Sequence, residues 1–278
     1  MSEYGNVELS DPQYERDHLR YLTFKSPALK RRGDVTIFVP PGCERKDRLP
    51  VVMLLHGVYG SHWSWSMKGG AHLTALNLIE KQLIEAIVLC MPSDGLWGDG
   101  SGYIAHAEAD YEGWIMEDVI GCVTKVIPCI DSRSPLFIAG LSMGGYGALR
   151  LGAKYAEKVA GFSGHSSITY PGDLARFIEQ PLTLYAAALE REDAVPLYWM
   201  KRHKEILPPF RFDCGTSDAL IEDNRELHQS LVGLDIPHQY FEFEGEHNWN
   251  YWQKHVADTL LFFDGVCRSR ESQSNEIP

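Results

Sequence analysis

An α/β fold built on a mostly parallel sheet of about eight strands, with helices on both faces, is what this sequence predicts. Three observations lead there. Short apolar runs alternate along the chain with longer amphipathic stretches. Two of those runs, 50–55 and 87–91, are continuously apolar, as strands buried on both faces of a parallel sheet must be. Finally, Gly140-Leu-Ser142-Met-Gly144 stands where the apolar run 136–139 gives way to a helical pattern over 143–156.

Taken in order, residues 21–24 and 35–39 read as antiparallel edge strands, the second stopped by Pro40-Pro41. The runs 50–55 and 87–91 follow as central strands, and 136–139, 161–163, 210–214 and 240–243 complete the set. Helical patterns fill the intervals at 72–81, 114–127, 143–156, 222–233 and 250–263. One interval breaks the rhythm. Residues 169–209, with Pro171, Pro181, Pro196 and the pair Tyr198-Trp199, are too long for a simple connection. They read as a small helical insertion expected to pack over the carboxyl ends of the strands and wall a pocket. Residues 268–278 read as a flexible tail by composition.

The 278 residues, 44% of them hydrophobic, suffice for one large core, and no linker divides them, so a single domain over 1–278 is expected. A formal net charge of -12 argues against nucleic acid or an anionic membrane surface as partner, since both need clustered positive charge. Six dispersed cysteines show no C-x-x-C spacing, and Cys90 and Cys214 fall inside apolar runs as small buried hydrophobes. The N-terminal residues carry neither a basic start nor an apolar core of a signal peptide, and no segment approaches the ~18 apolar residues of a spanning helix. A cytoplasmic location is the expectation, and a trimmed secreted chain would read the same way.

A serine between glycines on a strand-to-helix turn is the pattern of a nucleophile elbow, where the backbone is strained and small neighbours let adjacent chain pass closely. Serine is a weak nucleophile at neutral pH, so it needs a base and an acid to orient that base, in the chain order Ser, Asp or Glu, His. Asp218, in the turn Gly215-Thr-Ser-Asp218 after the run 210–214, is positioned to be the acid. Asp213 lies within the strand, and Asp223 reads as a cap of the next helix. His247, after the last strand and behind Gly245, is the expected base; His238 precedes that strand and His255 falls inside a helix. Backbone N–H groups of Met143 and of Val58, in the loop His56-Gly57-Val58-Tyr59-Gly60, are the expected donors to a developing oxyanion. Trp97, among the glycines of 95–100, could form a platform for a sugar or aromatic group, or simply pack against the insertion. Trp249, with Trp63 and Trp65, flanks the base and the oxyanion loop and reads as pocket wall or core. His62 and His56 have no carboxylate or cysteine at metal-ligand spacing, so no metal is expected.

Together, His56-Gly57, Ala139-Gly-Leu-Ser142-Met-Gly-Gly-Tyr-Gly147, Cys214-Gly-Thr-Ser-Asp218 and Glu246-His247-Asn-Trp-Asn-Tyr-Trp252 resemble the esterase D and tributyrin-esterase group of α/β-hydrolases. That group includes S-formylglutathione hydrolases, feruloyl and acetyl-xylan esterases and mycolyltransferases, and the resemblance spans residues 21–263. It implies the α/β-hydrolase fold, Ser142, Asp218 and His247 as a triad with Val58 and Met143 as oxyanion donors, and action on short-chain acyl esters without metal or organic cofactor. The substrate expected is a small-molecule or carbohydrate-linked ester, and dimers or tetramers are common in the group. The loop His56-Gly57-Val58 departs from the serine-glycine-leucine of S-formylglutathione hydrolases. A thioesterase or acyltransferase would use the same three residues. A non-catalytic binding protein on the same fold would be expected to lack one of them.

Overall fold

In the computed structural model, which describes Tyr4, residues 6–43 and residues 48–275, nine strands form one sheet. They are β1 (Val7–Leu9), β2 (Leu19–Ser26), β3 (Arg31–Phe38), β4 (Val51–Leu55), β5 (Val88–Pro92), β6 (Leu136–Leu141), β7 (Gly161–His165), β8 (Phe210–Gly215) and β9 (Gln239–Phe243). Their order is β1-β2-β3-β5-β4-β6-β7-β8-β9. The first three are antiparallel, β3 meets β5 antiparallel, and β5 through β9 run parallel.

Strands β4, β5, β7 and β8 are buried along their whole length beneath helices; β4, β5 and β7 carry no aspartate, glutamate, lysine or arginine, and in β8 the buried Arg211 and Asp213 pair with each other. The two apolar layers lie on opposite faces of the sheet. One gathers Trp114, Met143, Leu149 and Phe212, the other Val52, Leu54, Phe137 and Phe263. Phe162 stacks on Phe210 and Phe137 on Phe263, with ring centres 4.6 and 4.5 Å apart.

Three details differ from the sequence expectation. The edge strand β1 is only three residues long and mostly exposed, so it carries no apolar alternation to read, and it takes the outer place from β2. Strand β3 is internal, paired to β2 and β5, rather than an edge. The last helix runs Trp249–Asn275, through most of the stretch that reads as a flexible tail; residues 276–278 lie outside the described residues. No described helix is long and apolar enough to cross a membrane.

Topology places a crevice. After β4 the chain moves to one side of the sheet to form β5, and β6 then pairs with the other side of β4, so loops leaving the carboxyl ends of β4 and β6 diverge there. Such a switch point is where open α/β sheets hold ligands.

Candidate active site

Ser142 closes β6 and caps the helix Met143–Lys154 with φ 54° and ψ -117°, a conformation that costs roughly 1–3 kcal/mol for a residue with a side chain. The surroundings hold it there. Its N–H donates to His165 O at 3.0 Å, and its carbonyl accepts from Tyr146 N at 3.0 Å and Ile168 N at 3.3 Å. The flanking glycines answer to close approach: a methyl at Gly140 would run into the carbonyl of Gly144, and one at Gly144 into the carbonyls of Leu55 and His56.

Asp218 and His247 arrive beside Ser142 from the ends of β8 and β9. His247 Nε2 lies 3.0 Å from Ser142 Oγ, and His247 Nδ1 lies 2.9 and 3.0 Å from the two oxygens of Asp218. The two loops are joined to each other, with Ser217 N donating to Gly245 O at 2.9 Å and Thr216 N to Phe243 O at 2.8 Å. Asp218 is 3% exposed. Burial alone would raise its carboxyl, but hydrogen bonding and charge attraction to His247, with the Leu220 N–H, bring it below the ordinary value, so it stays ionised. Asp223 lies in the first turn of the helix Ile221–Gly233, whose cap position is Leu220, and its carboxylate pairs with Arg176 of the insertion at 2.7 Å. It is a surface brace rather than the helix cap that its place in the sequence suggests.

The loop after β4, which is expected to carry the Val58 donor, is set by His56. Asp94 N–H donates to His56 Nε2 at 3.0 Å, so that nitrogen is the acceptor and Nδ1 carries the proton, which it donates to Gly57 O at 2.7 Å. Burial favours the neutral ring and lowers its pKa against the opposing pull of Asp94. Because carbonyl and N–H point opposite ways across a trans peptide, pinning Gly57 O turns the Val58 N–H away from the imidazole. Met143 is the first helical residue, whose N–H has no intrahelical acceptor. His62 shares a hydrogen bond with Thr36 Oγ1 at 2.8 Å, so the two imidazoles answer to different partners.

A cavity of about 360 Å³ opens over Ser142, lined by Gly57, Val58, Tyr59, Phe177, His247 and Trp249 among others. Of the expected tryptophans, Trp249 and the exposed Trp63 line it. Trp65 is core, donating Nε1–H to Leu55 O. Trp97 stands apart from the cavity lining. It stacks on His106 with centres 4.2 Å apart and meets Tyr185 of the insertion edge-on, so the packing role is the one the structure shows.

Two contributors escape sequence reasoning. Phe177, from the insertion, stacks on the His247 ring at 4.7 Å, while Trp252 meets it edge-on at 5.0 Å. No spacing rule marks a phenylalanine in a proline-broken segment. Beneath the site, the wholly buried Asp213 binds His165 at 3.0 Å, Arg211 at 3.0 Å and the Tyr251 hydroxyl at 2.8 Å. Burial would raise this carboxyl, yet His165, Arg211 and the Tyr251 hydroxyl together hold it below its ordinary value. This cluster ties β7 and β8 to the helix that follows His247.

With that geometry in place, likeness to known proteins becomes informative. Residues 26–263 match the Esterase family. The chain belongs to that family. It is a carboxylic ester hydrolase of the α/β-hydrolase fold. An acetyl esterase of Caldicellulosiruptor saccharolyticus is 27% identical over 270 residues, covering 88% of this chain and 97% of that protein. Among solved structures, the fluorophosphonate-binding serine hydrolase FphF of Staphylococcus aureus superposes with a TM-score of 0.77 at 21% identity, over 88% of this esterase and 97% of that chain. A ferulic acid esterase gives 0.76 at 21% identity, over 94% and 99%. At these identities the two structures speak for the fold.

Proposed function

We propose that this esterase hydrolyses short-chain acyl esters through an acyl-enzyme on Ser142. The observation that carries the reading is the unbroken hydrogen-bonded line from Ser142 Oγ through His247 to Asp218, opening on a cavity at the small end of the ligand-pocket range of roughly 300–1,000 Å³. His247 takes the Ser142 proton as Oγ attacks the ester carbonyl, and Asp218 holds the ring with Nδ1–H toward itself and stabilises the imidazolium. The oxyanion meets the N–H groups of Val58 and Met143. His247 then returns the proton to the leaving alcohol, and activates the water that releases the acid.

Phe177 and Trp252 restrict the His247 ring to the plane that serves both partners. The similarity to a protein named acetyl esterase supports acetyl as a favoured acyl group. Hydrolysis of p-nitrophenyl esters from acetyl to decanoyl, with Ser142→Ala as blank, tests the reading. Serine-dependent turnover greatest at the shortest chains is expected. A maximum at long chains, or turnover that survives in Ser142→Ala, would refute it.

A further inference from the structure

Resting on the reading of Ser142 as nucleophile, the remaining polar character of its cavity bears on the substrate. The lining includes Tyr59, Ser64, Ser142, His247 and Asn248, and no aspartate or glutamate. One side chain there carries a fixed charge, Lys68. It follows the short helix Ser64–Met67, and its Nζ sits 5.5 Å from the centre of the Trp249 ring, at the cavity wall. Among the described residues it makes no salt bridge. In a chain with 38 acidic and 26 basic residues, a cavity whose lining residues include one ammonium and no carboxylate differs in charge from the composition of the chain as a whole, although Asp99 and Glu179 stand beside Tyr59 at its edge.

We infer that the cavity selects esters bearing an anionic group, a carboxylate in the simplest case, which Lys68 pairs while the ester carbonyl lies at Ser142. The indole of Trp249 fixes the ammonium from one side by cation–π attraction and leaves its other N–H donors to the ligand. Because Lys68 is exposed, the pairing is screened, and its contribution to selection is about fivefold at low salt, shrinking as ionic strength rises. The net charge of -12 opposes approach of an anion from a distance, so the selection appears in matched comparisons of bound substrates rather than in a fast encounter.

Two matched pairs test this. p-Nitrophenyl hydrogen glutarate against p-nitrophenyl valerate places the charge on the acyl side; 4-acetoxybenzoate against 4-acetoxybenzamide places it on the alcohol side. Each is run with the wild type, Lys68→Met, Lys68→Arg and Lys68→Glu, beside Ser142→Ala. The expected result is a wild-type kcat/KM ratio favouring the anion about fivefold on at least one pair, carried by KM and weakened by salt. The ratio falls to about one in Lys68→Met, returns in Lys68→Arg and inverts in Lys68→Glu. Ser142-dependent turnover with no lysine-dependent preference on either pair would overturn the inference and leave the esterase reading standing. Turnover independent of Ser142 would instead remove the reading on which it rests.

Discussion

Asp218 and an asparagine in its place would occupy nearly the same volume, yet only the carboxylate holds His247 with the proton on Nδ1. Asp218→Asn is therefore expected to lower kcat on a short ester by a factor of about 10⁴. Asp223→Asn, which disturbs only the surface pair with Arg176, should change kcat little. Steady-state kinetics on the two variants decide it, and comparable losses would move the acid. His56 acts through the peptide it holds. His56→Ala leaves Gly57 O held only by the Gly60 N–H at 3.2 Å, and the expected loss is in kcat rather than KM, up to the factor of ~10² to 10³ of a missing oxyanion donor. An unchanged kcat in a folded variant would contradict the role. That Ser142, Asp218 and His247 would come together was legible in the sequence, because each follows the carboxyl end of a strand in the parallel sheet. Phe177 was not, since a ring that stacks on the base from a separate segment leaves no mark at fixed spacing.

Among the elements, the turn between β9 and the last helix shows how a loop acquires rigidity. Tyr251 packs its ring against Gly245, leaving no room for a side chain there, and anchors its hydroxyl on Asp213. Tyr251→Phe removes that donor from a buried carboxylate, at an expected cost of about 1–3 kcal/mol in stability by urea unfolding. It should also lower kcat through a less constrained His247. A variant as stable and as active as wild type would show that His165 and Arg211 satisfy Asp213 alone. Sequence patterns located eight of the nine strands because continuous apolar runs report double-sided burial. They missed β1, which buries too little to show, and read polar helical residues after 267 as tail because that end of the helix has no apolar face to reveal it.

Over the whole molecule, two sets of shifted groups act together against acid. His56, His62, His72, His106 and His238 all have pKa values lowered from 6.5, in each case chiefly by burial. Unfolded, these rings take protons near 6.5; folded, they resist, so stability falls as pH drops below about 6.5. Glu112, Asp213 and Asp218 are held below ordinary carboxylate values despite burial, by Arg150 and Lys154, by His165 and Arg211, and by His247. Their stabilisation is complete above the unfolded value of about 4 and is lost as pH falls toward the folded one. Relief of the net charge of -12 acts the other way, but it is spread over a screened surface. The urea midpoint should therefore decline from about pH 7 to about pH 5 and steeply below about pH 4. A midpoint flat across the first interval would show that the buried histidines are not held neutral.

The central claim is the covalent step on Ser142, and mass spectrometry tests it most directly. Wild-type enzyme mixed with p-nitrophenyl acetate, quenched in acid during turnover and digested, should yield acetylation confined to the peptide containing Ser142, absent from Ser142→Ala and much reduced in His247→Ala. An acetyl group on another residue that forms and decays at the rate of turnover would contradict it.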